Sequence, residues 1–332
     1  MSGLLHLRLT VPTELGDDVR DLLTDNGGIC NVTYVRGASL EPVGDVFEAD
    51  VARELVSSVV TQLRQIGVAE RGGIVLTRPA ATPFDQAARI EHDAPGEADD
   101  AVIWDVVLDQ AESAATPTVS YYLFLLLATM LAGVAIITDS PVLVVGAMVV
   151  GPEFMLIAAI CTGLGLGHFR LVRRSLVLLL SGFAFAIVVT AALAWLGLRT
   201  GFIDPLSITG ARPLTGFIWK PDKWSFVVAL LAGAAGVLAM ATDKSNAMVG
   251  VFISVTTVPA AGGMALGLAL WDVDEFVGSA AQLGLNFGGL IASGFATILA
   301  LRGGWAYAES RDAAFFHRAR SRMIERRAHV RD

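Results

Sequence analysis

The chain has 332 residues, 54% hydrophobic and 17% charged, with a mean hydropathy of +0.61 and a formal net charge of −8. Those totals lie far from a soluble average and exclude an ordinary soluble protein. The charge is also unevenly placed: residues 1–112 hold 20 Asp and Glu against 8 Arg and no Lys, 119–301 are mostly apolar, and 302–332 hold 8 Arg against 4 acids.

Four regions follow. Residues 1–78 read as a soluble domain, 79–118 as an acidic linker with a juxtamembrane amphipathic helix, 119–301 as a membrane domain and 302–332 as a basic tail. Met1 to Thr10 lack a basic n-region and a long apolar core, so they read as a strand and not as a signal peptide. Leu5, Leu7 and Leu9 alternate as in a strand, and Val19, Leu22 and Leu23 lie at helical spacing. Asn26-Gly27-Gly28 marks a turn, which reads as a helix-to-strand connection and matches no phosphate-loop spacing. Ile29 to Val35 and Asp45 to Val51 read as two strands; Leu55, Val59, Leu63 and Ile66 as a helix stripe; Gly72 to Leu76 as a last strand. The order β-α-β-β-α-β predicts a ferredoxin-like α+β domain. Residues 79–100 hold Pro, Ala and acids with no sustained period, and Ala101 to Ala111 read as a short amphipathic helix packed on protein.

Six apolar stretches are long enough to cross a bilayer: 119–137, 141–167, 172–198, 224–241, 246–270 and 276–301. The second and fifth contain Pro152 and Pro259 near their centres, which predicts broken spans there. Trp195, Trp219, Trp224, Trp271 and Trp305 fall at span edges, where indoles favour the headgroup layer. Arg170, Arg173 and Arg174 after the second span, and the basic tail after the sixth, predict cytoplasmic placement; Asp272, Asp274 and Glu275 predict the opposite side. With every span crossing once, both termini are cytoplasmic in an inner membrane. Residues 199–223 object, because that outer loop carries Arg199, Arg212, Lys220 and Lys223.

The two halves echo one another: Leu131-Ala132-Gly133 with Leu231-Ala232-Gly233, Thr138-Asp139 with Thr242-Asp243, Ala147-Met148-Val149 with Ala247-Met248-Val249, and Leu164-Gly165-Leu166 with Leu266-Gly267-Leu268. The spacings differ by several residues, so no ungapped alignment holds them all. Read as a duplication, they give a helical bundle of inverted three-helix repeats, a common transporter plan.

The runs Ser140–Pro152 (SPVLVVGAMVVGP), Gly163–Leu176 (GLGLGHFRLVRRSL), Leu231–Gly236 (LAGAAG) and Val258–Gly263 (VPAAGG) resemble, in that order, domain-of-unknown-function family 389, the uncharacterised hydrophobic domain family. The resemblance covers about 118–300. It implies an integral membrane protein joined to a small soluble domain, and implies no activity. An apolar residue commonly follows the family's proline, whereas Glu153 stands here.

Glu153 is the leading candidate residue, because a carboxylate at mid-span is costly and is generally retained for use. It can bind a cation or take up a proton; a structural hydrogen bond is the plain alternative. Pro152 and Pro259 free backbone carbonyls that can face an ion, or they mark packed kinks. Thr256 and Thr257 can offer hydroxyls to a site or bond back to their own helix. Asn286 can bridge helices or touch cargo, and Asp139 and Asp243 can cap helices or gate ions. Cys30 and Cys161 lie in different domains, and neither a metal-ligand spacing nor a cofactor motif is visible. His6, His92, His168, His317 and His329 all lie outside the spans without a nucleophile at useful spacing, so no enzyme is expected. The acidic soluble domain argues against nucleic acid.

The sequence therefore predicts a transporter or channel for a small solute or ion, regulated by a cytoplasmic domain that binds a small molecule. Abundant small-residue helix faces point to a homo-oligomer in the lipid bilayer. The alternative is a membrane-anchored sensor or scaffold without transport.

Overall fold

A computed structural model describes residues 3–93, 101–210 and 212–311. The basic tail beyond Arg311 lies outside the described residues, as do 94–100 of the acidic linker. The chain divides into one unit built on residues up to Asp105 and another over Val106–Leu301.

In the first unit, β1 (Leu4–Pro12), α1 (Gly16–Thr24), β2 (Ile29–Leu40), β3 (Val43–Ala52), α2 (Val56–Ile66), α3 (Val68–Arg71) and β4 (Gly73–Thr77) follow in order. The strands form one antiparallel sheet in the order β2-β3-β1-β4. The alternating residues of β1 bury Leu5, Leu7 and Leu9 on one face, and the 3.6-residue stripe of α2 buries Leu55 just before it and then Val59 and Leu63. Two buried carboxylates are satisfied. Asp45 accepts from Tyr34 Oη (3.0 Å) and Gly37 N (2.7 Å), and Asp50 from His6 Nδ1 (2.9 Å) and Asn31 Nδ2 (3.0 Å). The stretch read as a linker contains a helix, α4 (Asp85–Asp93). Ala87 and Ile90 give it one buried face, and Glu91 Oε1 accepts from Gly3 N at 2.7 Å, so a short pattern masked by acids still pays for its ordering. The helix expected after it is α5 (Trp104–Ala114). Leu108 and Ala111 of α5 pack with Ala159 and Leu171.

The second unit holds α6 (Val119–Ile137), α7 (Pro141–Val150), α8 (Glu153–Leu166), α9 (Phe169–Arg199), α10 (Pro205–Thr209), α11 (Lys223–Ala241), α12 (Ser245–Ser254), α13 (Thr257–Leu270) and α14 (Val273–Arg311). Four of these, α6, α9, α11 and α14, are long and apolar enough to cross a membrane. The expected second span is the pair α7 and α8, bent by 52° at Gly151-Pro152. Pro152 removes the donor that the Met148 carbonyl would receive, and the residue before a proline is pushed to extended backbone; Gly151 has φ −67° and ψ 128°. The expected fifth span is also interrupted, at Val255-Thr256 and not at Pro259, which sits in the first turn of α13. Proline is tolerated there because those N–H groups have no intrahelical partner. The same ring would clash with the carbonyl four residues back, Val255, so Pro259 stops the helix upstream of itself.

The two sets of elements correspond one to one. α6 and α11 have 19 residues each, α7 and α12 have 10, and α8 and α13 have 14. Each later element starts 104 residues after its counterpart, at 223 against 119, 245 against 141, 257 against 153 and 273 against 169. The turns match as well. Asp139 (φ 45°) and Asp243 (φ 59°) both take left-handed backbone, and Ser140 N→Ala135 O (2.9 Å) repeats as Lys244 N→Ala239 O (2.8 Å). Of the echoes visible in sequence, only Thr138-Asp139 with Thr242-Asp243 falls on corresponding positions.

Packing interleaves the two sets. α13 lies against α6 and α9, where a Cβ on Gly262 would come within 2.8 Å of Ala132 Cβ and 3.0 Å of the Gly133 nitrogen. In the corresponding place, α8 meets α11 through Phe154 against Gly236, and α14 through Ile298 against Gly165. Small residues let these backbones approach where lipid gives no hydrophobic drive.

Candidate functional site at the paired helix breaks

Glu153 is the first residue of α8, and Thr257, at the corresponding position, is the first residue of α13. The two meet: Thr257 Oγ1 donates to Glu153 Oε1 at 2.6 Å. The contact is buried, with Glu153 6% exposed. Glu153 Oε2 has no hydrogen-bond partner among the described residues. It lies over Gly151, where a Cβ would strike it, so the break residue itself makes room for the carboxylate. A carboxylate in the first turn of a helix is also favoured by the aligned peptide dipoles.

Next along the chain, Thr256 Oγ1 accepts from Gln282 Nε2 (3.0 Å) and from Asn286 Nδ2 (3.1 Å) on α14. Gln282 Oε1 is the second buried side-chain oxygen here without a partner among the described residues. Thr256, Thr257, Glu153 and Asn286 are thus brought to the two breaks, and neither threonine hydroxyl spends these contacts on its own helix. Pro152 is the last residue before α8. Pro259 stands two residues into the first turn of α13 after Thr257. Gln282 escaped the sequence reading. Its signal was present, since Gln282 and Asn286 stand four apart and share a helix face in an apolar span.

Asp139 and Asp243 are not at the breaks. Asp139 gives α7 no side-chain cap; it accepts from Leu214 N (3.3 Å), Thr215 N (2.9 Å) and Thr215 Oγ1 (2.8 Å), tying down the connection between α9 and α11. The same connection carries Arg212, whose guanidinium donates to both Glu275 oxygens at 2.8 Å. Ile208 and Ile218 pin it to Ile136, Val144 and Leu266. A cavity of about 310 Å³ lies here, lined by Arg212, Trp219, Lys220, Asp272 and Glu275, away from Glu153. Its walls carry both charge signs and most of its Arg–Glu charge is already paired, so the uncompensated polar atoms at the breaks make the stronger candidate. The Arg212–Glu275 pair could not be seen from sequence, because its partners are 63 residues apart.

No solved structure matches the chain. An uncharacterized protein of Methanocaldococcus jannaschii is 25% identical over 170 residues, 51% of this chain and 50% of that protein, so the match spans about half the length of each. Residues 148–292, which contain both breaks and every residue of the Glu153 and Thr256 clusters, match the model of the family described as Domain of unknown function (DUF389), the family whose motifs the sequence resembles.

Proposed function

We propose that the protein is an integral membrane transporter or channel for a small solute or ion, and that its site lies at the two helix breaks. The observation that carries this reading is the hydrogen bond between Glu153 and Thr257. Corresponding residues touch each other only next to an axis that relates the two sets, as in any isologous contact. If α7–α8 and α12–α13 each count as one broken span, each set has three spans and that axis lies in the membrane plane, the plan of inverted repeats with a midplane site. α8 and α13, at 14 residues and 1.5 Å per residue, reach about 21 Å each against a hydrocarbon core of about 30 Å, so their N-termini end inside it.

Both termini are then cytoplasmic, in an inner membrane. In the outer loop Arg212 is paired with Glu275, and Arg199, Lys220 and Lys223 lie over Trp195, Trp219 and Trp224 at 5.1, 4.5 and 5.7 Å, contacts that lower the cost of holding these cations there without removing their charge. The soluble unit's strand order is that of the split βαβ plan, which supports a ferredoxin-like domain in a regulatory, ligand-binding role.

Reconstitution into proteoliposomes tests the reading. Flux of ions or small metabolites is expected from the wild type and is expected to fall at least tenfold in Glu153→Gln. Background flux across ions, metabolites and pH gradients would refute it.

A further inference from the structure

The charge and donor balance at the breaks also constrains what binds there. Of the buried side-chain atoms without partners among the described residues, the two that belong to these hydrogen-bonded clusters, Glu153 Oε2 and Gln282 Oε1, are acceptors. Thr257 Oγ1 spends its hydrogen on Glu153, which leaves only lone pairs to offer. Thr256 Oγ1 already receives two amide donors, so both its lone pairs are used and it adds none to this surplus. The prolines do add to it, since Pro152 and Pro259 deprive the Met148 and Val255 carbonyls of their intrahelical donors. The N-terminal peptide dipoles of α8 and α13 supply part of the positive charge that Glu153 calls for, but no cationic side chain belongs to these clusters. An anion would meet a carboxylate and surplus oxygens, while an apolar solute would leave them all unpaired at a cost of about 1–3 kcal/mol each.

The charge fixes the valence. Among the described residues no group of three or more His, Cys, Asp or Glu is placed to hold a metal ion, and Glu153 is the one carboxylate of this cluster. One negative charge among neutral oxygens balances one positive charge; a divalent ion would leave an uncompensated charge among apolar helices. Hard oxygen donors select hard cations over soft ones.

We propose that the paired breaks bind an alkali-metal cation, with the Glu153 carboxylate as the charged ligand and the Thr257 hydroxyl as a neutral one. The inference rests on the transport reading only for the ion's purpose, as cargo or as the coupling ion of a solute. Binding itself is independent of flux. Gln282 and Asn286 hold the neighbouring Thr256 by donating to its hydroxyl.

The test uses the full-length protein in detergent, titrated with LiCl, NaCl and KCl at constant ionic strength against choline chloride, with thermal unfolding and calorimetry as readouts. At saturation one alkali cation is expected to raise Tm by about 5 °C. Glu153→Gln is expected to abolish the rise, and Thr257→Val to weaken cation affinity about tenfold. Should Glu153→Gln fail to fold, Thr257→Val and the cation series on the wild type still decide. An unchanged wild-type Tm, an equal rise in both variants, or a rise that follows the anion when chloride is exchanged for gluconate would overturn the proposal. Cation binding without any flux would defeat transport and leave the site standing; flux without alkali-cation binding would do the reverse.

Discussion

Removing either partner of the Arg212–Glu275 pair is expected to be the most damaging single polar change in the second unit. The guanidinium and carboxylate face each other in two parallel bonds of 2.8 Å, and their side chains are 7% and 5% exposed. Such a pair is a modest stabiliser compared with an apolar replacement, but one survivor is left as a buried, unpaired charge, at about 3–5 kcal/mol. Arg212→Met and Glu275→Leu should therefore each lower Tm by about 6–20 °C, taking about 2–4 °C per kcal/mol. The double variant should recover most of that loss, because both charges leave together. Thermal unfolding of the purified protein, followed by tryptophan fluorescence, measures all three. Because Asp139 and the Ile208 and Ile218 side chains hold the same connection, the loss should be local before it is global. Single variants within about 1 °C of wild type, or a double variant no better than the worse single one, would refute the argument.

Two further outcomes follow from packing and burial. Gly262→Leu forces a side chain into the Ala132 and Gly133 backbone of α6, where the neighbour cannot rotate away; a loss of about 3 kcal/mol or more is expected, read as a fall in Tm. The Cys30 thiol is held above its ordinary range by burial and by the Asp50 carboxylate. An unfolded thiol ionises near about 8.5, so the native state prefers the proton there, and stability contributed by Cys30 is present below that pH and lost as pH rises toward the folded value. Iodoacetamide labelling at about pH 8, mapped by mass spectrometry, should be at least tenfold slower at Cys30 in the native protein than in urea; equal rates would contradict it.

The soluble sheet was legible because strand alternation and the α2 stripe are set by neighbours in sequence. The four long apolar helices were legible for the same reason, through length and hydropathy alone. The second break was misplaced because a proline's effect is felt one turn upstream, at the carbonyl it would strike, and so the interruption is at Val255-Thr256 while the ring stays helical at Pro259. The halves' correspondence was obscured for a different reason. Ala, Gly and Leu repeats at spacings of 100 and 102 are frequent in apolar helices and carry no register, whereas the constant 104-residue offset is a property of helix lengths and turns. Glu153 was singled out because a carboxylate in an apolar run is costly, and Thr257 for its hydroxyl, but the pairing of the two was hidden because they are 104 residues apart.

The difference between the corresponding residues has its own consequence. A duplicated half would place the same residue at 153 and 257, and two glutamates there would set like charges within about 4 Å, at about 4 kcal/mol for an effective dielectric near 20. Two threonines would carry no charge. One glutamate facing one threonine keeps a single charge at this contact without repulsion. Thr257→Glu would place a second carboxylate at the contact, and it should exchange valence: two carboxylates match a divalent ion. That variant is expected to unfold at least 5 °C below wild type in EDTA and to be raised above that by calcium, while the wild type is indifferent to calcium. If Thr257→Glu is as stable as wild type in EDTA, the two positions do not face each other across a buried contact, and the repulsion argument is wrong.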